Sequence, residues 1–122
     1  MDEYADPAKY PDGYVKFLMY GGKAQLIPPN IRIFNKVGDA YGFLTDAAYV
    51  IDLENRIEFL LAATIYTNAN QTFNDDTYEY DSIGLPFLRD LGQAVYNLEL
   101  ARPRANVPGL SDLQDTLNQK NW

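Results

Sequence analysis

The stretch Phe43-Leu44-Thr45-Asp46-Ala47-Ala48-Tyr49-Val50-Ile51-Asp52-Leu53, joined through Glu54-Asn55 to Arg56-Ile57-Glu58-Phe59-Leu60-Leu61-Ala62-Ala63-Thr64-Ile65-Tyr66-Thr67, decides the fold. In its first half the odd positions are Phe43, Thr45, Ala47, Tyr49, Ile51 and Leu53, while the even ones are mixed and include Asp46 and Asp52. In its second half Ile57, Phe59, Leu61, Ala63 and Ile65 share one face. Side chains of an extended chain point to opposite sides with period two, so alternation of this length predicts two half-buried strands. The short connection at Glu54-Asn55 makes them an antiparallel hairpin, and Asn55 suits a left-handed turn conformation.

Working upstream, Ile31-Arg32-Ile33-Phe34-Asn35-Lys36 is rich in β-formers and predicts a further strand. Gly38 and Gly42 permit a bend between it and the next. Pro28-Pro29-Asn30 interrupts any regular element before it. Residues 14–20 form an apolar patch of undecided type, closed by Gly21-Gly22, and residues 1–13 read as a loose lead-in. Downstream, residues 68–81 are polar and turn-rich. A helix is expected from Ser82, which can cap it, with Pro86 in a first turn where its missing N–H costs little. Ile83, Phe87, Leu88, Leu91, Ala94, Val95 and Leu98 recur at helical spacing, with Leu91 and Val95 at the centre of the stripe. Pro103 ends that helix, and residues 103–122 read as a tail with one weak helical turn after Ser111. The expectation is an α+β domain over residues 14–102: a three-stranded antiparallel sheet with a C-terminal helix on one face.

Composition supports one domain and narrows its chemistry. A chain of 122 residues lies in the usual single-domain range, and 47% hydrophobic content suffices for a core. With 17 acidic against 10 basic residues the net charge is −7, which repels phosphate backbones, so nucleic acid is not an expected partner. There is no Cys and no His, which removes thiolate and imidazole chemistry and leaves no expected metal site or cofactor. The longest apolar run, residues 59–65, falls short of the ~20 residues of a membrane span. The acidic start, Met1-Asp2-Glu3-Tyr4-Ala5-Asp6, lacks the pattern of a signal peptide.

Three groups of residues are candidates for a site. Asn35-Lys36-Val37-Gly38-Asp39 leaves the first strand, where a Lys beside a Gly can offer an ammonium and a backbone N–H to a carboxylate or oxyanion. In the plainer reading Lys36 is solvated and Gly38 serves a turn. Asn74-Asp75-Asp76-Thr77-Tyr78-Glu79-Tyr80-Asp81 carries oxygen ligands but not the spacing of a calcium loop, and reads better as a solvated approach to the helix. Tyr14, Phe17, Tyr20, Phe34, Tyr41, Phe43 and Tyr49 could line a groove, although core packing is the default for aromatics. Ser82 and Ser111 are the only serines, and neither stands in a G-x-S-x-G or S-x-x-K motif.

Taken together, residues 14–102 resemble the C-terminal part of class A β-lactamase-like, penicillin-recognising bacterial serine hydrolases. The matching words are Ile31-Arg32-Ile33-Phe34-Asn35-Lys36-Val37-Gly38, Ala40-Tyr41-Gly42-Phe43-Leu44-Thr45-Asp46-Ala47-Ala48-Tyr49, Glu58-Phe59-Leu60-Leu61 and Gly84-Leu85-Pro86-Phe87-Leu88. The resemblance implies the α/β part of that fold, with a strand bordering the active site, two further antiparallel strands and a closing helix. It makes Lys36 the electrostatic partner of nucleophile and substrate carboxylate, catalytic only with the other half of the enzyme. Gly38 would permit close approach, and the Asp39 backbone N–H would serve an oxyanion hole. Val37 stands where the family carries Thr, without the hydroxyl that helps hold the substrate carboxylate. The S-x-x-K serine and the S-D-N-type loop have no counterpart in this sequence, so the chain alone is expected to be inactive. A complementary N-terminal half, or a homodimer through an exposed sheet edge or face, are the partners this implies, with a periplasmic or exported parent. The alternative is a self-sufficient, non-catalytic binding or protein-interaction domain.

Overall fold

The computed structural model describes residue 6, residues 8–24 and residues 26–119. Residues 1–5 and 7 of the expected lead-in, and residues 120–122 of the expected tail, lie outside the described residues. Three strands of ten residues follow one another: β1 (Ile31–Ala40), β2 (Phe43–Asp52) and β3 (Ile57–Tyr66). They make one antiparallel sheet in the order β1-β2-β3, so among the described residues β1 and β3 are both edges.

β1 runs four residues beyond Lys36, because Val37, Gly38, Asp39 and Ala40 stay in register with Asp46, Thr45, Leu44 and Phe43. Gly38 therefore lies inside the strand, and the bend falls on Tyr41-Gly42 alone. Their φ values of 52° and 90° give the paired left-handed turn that matches strand twist in a two-residue hairpin. Gly42 is needed twice over, since a Cβ there would lie 2.6 Å from the Asn68 Cβ. At the second turn Arg56, not Asn55, takes the left-handed conformation, with φ 54°. Asn55 is held instead by Asp52, which accepts its backbone N–H at 3.0 Å and its side-chain amide at 2.7 Å.

Along most of β2 the buried face is the even-numbered one, although Ile51 on the odd-numbered face is fully buried as well. Leu44, Asp46, Ala48, Val50 and Asp52 are buried, whereas Phe43 and Ala47 are exposed on the other side. Burying two carboxylates is tolerated because each is supplied with donors. Asp46 accepts the Leu18 N–H at 2.9 Å and the Asn35 amide at 3.0 Å. Asp52 accepts five hydrogen bonds, from Asn30, Glu54, Asn55 twice and Tyr96. The core cluster joins Ile31, Ile33, Leu44, Ala48 and Val50 of the sheet to Leu18, Met19 and Leu88.

A single π-helical turn, Tyr80–Gly84, leads into α1 (Leu85–Ala101). No side chain caps either start, and Ser82 is exposed, so the expected Ser82 cap is absent. Pro86 does sit in the first turn of α1. Arg102 is extended, as the residue before a proline prefers, and the helix stops there. The buried line of α1 is Leu88 and Gly92; Leu91 and Val95 are half-buried, and Ile83, Phe87 and Leu98 face solvent. The reason is an interposed loop. Residues 13–24 close on themselves through Gly13 N–H to the Ala24 carbonyl at 2.8 Å, and push buried Leu18 and Met19 between helix and sheet. At Gly92 the helix nearly touches that loop, since a Cβ would lie 2.3 Å from the Met19 nitrogen.

The tail contains more helix than one weak turn: α2 (Ser111–Gln119). It is tied back where Arg104 donates to the carbonyls of Asn55 and Arg56, and Arg56 donates to that of Pro108. Among the described residues no helix is long and apolar enough to cross a membrane.

Candidate functional site

The motif Lys36-Val37-Gly38-Asp39 lies on the open edge of the sheet. In an extended strand neighbours alternate, so Lys36 and Gly38 belong to the outer face and Val37 and Asp39 to the other. Lys36 is exposed, opposite Ala47, and its ammonium donates to the Val37 carbonyl at 2.9 Å. Nothing lies within 4 Å of a Cβ built at Gly38, so the strand is open to close approach there. A two-residue hairpin makes Ala40 and Phe43 a hydrogen-bonded pair, and such pairs alternate along the ladder. The Asp39 and Leu44 pair is then non-hydrogen-bonded, and the Asp39 N–H points away from β2, off the free edge.

Behind the motif, Asn35 joins two groups the sequence reading did not single out. It accepts the Lys16 ammonium at 2.7 Å and donates to Asp46 and to the Val15 carbonyl at 3.0 and 2.8 Å. Burial lowers the Lys16 pKa, and the Asp46 charge offsets part of that shift. The network anchors the 13–24 loop to the edge strand. A polar residue at a core-facing strand position, as at Asn35, Asp46 and Asp52, was the available signal.

The aromatic set divides. Phe17 and Tyr20 pack against the core, and Tyr14 lies edge-to-face with Tyr10. Phe34 stacks on Tyr49, and Phe43 meets Tyr66 at 4.5 Å, all on the outer face rather than in the core. Between these two aromatic rows runs a shallow depression of about 430 Å³ over Ala47 and Ala62, bounded by Phe34, Tyr49 and Leu60. The Tyr49 hydroxyl donates to Glu58, which pushes its pKa up to about 12.

At the tip of the first hairpin a second cavity, of about 330 Å³, is lined by Asp39, Ala40, Tyr41, Asp76, Tyr78 and Tyr80. The acidic loop thus contributes a wall, but no group of three metal-ligating side chains occurs among the described residues. Tyr80 is positioned by the Gly42 N–H, which donates to its hydroxyl at 2.9 Å, and Tyr78 by the Asn74 N–H at 3.0 Å.

Comparison with known proteins finds no matching family model, curated protein or solved structure.

Proposed function

We propose that this chain is the C-terminal α+β portion of a class A β-lactamase-like serine hydrolase and forms one wall of its acyl-transfer site. The observation that carries the reading is the position of Lys36-Val37-Gly38-Asp39 on a free edge strand, with the Asp39 N–H directed off the sheet. In that role the Lys36 ammonium attracts a substrate carboxylate, and the open backbone at Gly38 lets the substrate lie along β1. The Asp39 N–H donates to the oxyanion of a tetrahedral intermediate, where a pre-placed donor stabilises developing charge. No cofactor is called for. The nucleophile and its lysine come from sequence outside these 122 residues, in an exported parent.

The test uses source cells. An antibody against this chain should capture a polypeptide that a fluorescent penicillin or a fluorophosphonate acylates on serine. Capture of polypeptides that neither reagent labels would overturn the reading.

A second reading, a non-catalytic interaction domain, is favoured by one observation. The outer sheet face leaves Phe34, Phe43, Leu60 and Tyr66 between 42% and 81% exposed.

A further inference from the structure

We infer that the cavity at the tip of the β1–β2 hairpin binds an organic cation, a methylated or primary ammonium group held between tyrosine rings and two carboxylates. The walls are Tyr41, Tyr78 and Tyr80, and the charges are Asp39 and Asp76. Neither carboxylate takes a hydrogen bond or ion pair from any side chain or backbone group among the described residues. Asp75 beside them is satisfied by the Asn70 amide and the Thr77 N–H, so Asp39 and Asp76 are the ones left for a ligand.

The rings are fixed before any ligand arrives. Tyr80 is anchored at its hydroxyl by Gly42, and Tyr78 by Asn74, with the two ring centroids 5.4 Å apart. Tyr41 is braced edge-on by Phe73 at 6.2 Å. An aromatic face carries negative potential and attracts a cation placed over it, most strongly when water is partly excluded. The surroundings add to this. Residues 68–81 hold four acids and no Lys or Arg. Two carboxylates and no Lys or Arg line the cavity, so its charge favours a cation over an anion. A bare divalent ion is the poorer match, because only two carboxylate residues line the cavity and hard cations take six or more oxygens.

Asp39 belongs to both this cavity and the edge motif. The proposal does not depend on acyl transfer, since it concerns binding by the chain alone.

The experiment is a titration of the full ¹⁵N-labelled chain with tetramethylammonium and with choline, with neutral 3,3-dimethylbutanol as the shape-matched control. The expected result is saturable shifts at the amides of Tyr41, Asp76 and Tyr78 for both cations, and about tenfold weaker binding of the alcohol. D76N should weaken cation binding roughly fivefold while keeping the left-handed backbone at that position, which Asn also tolerates. D39N tests the second carboxylate where D76N perturbs the loop. Equal binding of the neutral alcohol, no saturable shift with either cation, or unchanged affinity in the D39N/D76N double variant would each overturn the inference. So would calcium producing the same shifts at lower concentration than the ammonium probes.

Discussion

The Tyr96 hydroxyl donates to Oδ2 of Asp52 at 2.5 Å, linking the middle of α1 to the end of the central strand. The bond is partly buried, and Asp52 itself is fully buried at the turn it also organises. Tyr96→Phe keeps the ring and removes only the donor. A hydrogen bond to a charged group contributes about 1.5–3 kcal/mol, so the variant should lower the urea midpoint by that amount of stability. An unchanged midpoint would show that the helix is not tied to Asp52.

The same carboxylate sets an acid limit. Burial alone would raise its pKa, but the donors from Tyr96, Asn30 and Asn55 outweigh it and hold the value at about 2, against 3.8 for an ordinary Asp. Because the folded value is depressed, its stabilisation is complete above the unfolded pKa and is lost as pH falls through the folded one. The loss, on the order of 2 kcal/mol, should fall between about pH 4 and pH 2. Chemical unfolding at successive pH values measures it, and Asp52→Asn should remove this part of the pH dependence. Tyr96→Phe, with one donor fewer, should move the window upward. Burial, followed by the bond to Asp52, raises the Tyr96 pKa to about 12. Its contribution is therefore present below pH 10 and lost only as pH rises through about 12.

Gly92 and Gly38 should respond in opposite ways to one added methyl. Alanine is the better helix former by about 1 kcal/mol, so propensity favours Gly92→Ala. The new Cβ would lie 2.3 Å from the Met19 nitrogen, and a backbone atom cannot step aside as a flexible side chain can. Overpacking of this kind costs ~1–3 kcal/mol or more, so the clash wins and the variant is destabilised. Gly38→Ala meets nothing within 4 Å and should be neutral or slightly stabilising. Thermal melts of the pair decide the matter; equal midpoints would mean that residues 17–20 are not packed against α1.

Alternation over residues 43–67 was enough to read two strands and their hairpin, because period-two patterning survives wherever one face is buried, and the β-formers of residues 31–36 marked a third strand upstream. It did not tell which face of β2 is inside. Asp46 and Asp52 look like solvent positions until the donors that satisfy them are located, and those come from Leu18, Asn35, Asn30 and Tyr96, distant in sequence. The stripe of α1 was misplaced for a related reason. Its apolar residues mark a helical face, yet the 13–24 loop takes Leu88 and Gly92 as its contact and leaves Phe87 and Leu98 outside. Irregular wedges of this type, with left-handed Val15 and Met19, carry no periodic signal. At the candidate site Lys36, Gly38 and Asp39 stand out on local chemistry, whereas the cavity joining Asp39 to Asp76 depends on two segments meeting at a turn.

The purified chain should hydrolyse neither a chromogenic β-lactam nor a simple ester. Ser82 and Ser111 take part in no side-chain hydrogen bond among the described residues, so neither hydroxyl has a base to accept its proton. Lys36→Ala should then leave the background rate unchanged. Saturable turnover that survives repurification and disappears with Lys36→Ala would show that the chain supplies its own nucleophile.

Weak self-association through the outer sheet face is the last expected behaviour. That face carries Phe34, Phe43 and Tyr66 at 42–45% exposure and Leu60 at 81%, around the depression over Ala47 and Ala62. At ~150–250 Å² for a whole aromatic side chain, these residues leave on the order of 400 Å² of apolar surface open per copy. Two copies face to face would cover roughly 800 Å² of it, below the ~1,200 Å² at which standard stable interfaces begin. The dimer is therefore expected to be weak, visible only at high micromolar concentration. Charge acts in the same direction, since two copies of net charge −7 repel. The face itself bears Arg32, Lys36 and Glu58, so the repulsion is long-range and screened by salt. Sedimentation at several concentrations should show association rising between low and moderate ionic strength. Leu60→Asp should abolish it with little effect on the monomer's stability, because that side chain is already in solvent. A strictly monomeric species at high concentration and moderate salt would mean that the face stays open. Association that persists in Leu60→Asp would move the contact to the free edges of β1 and β3.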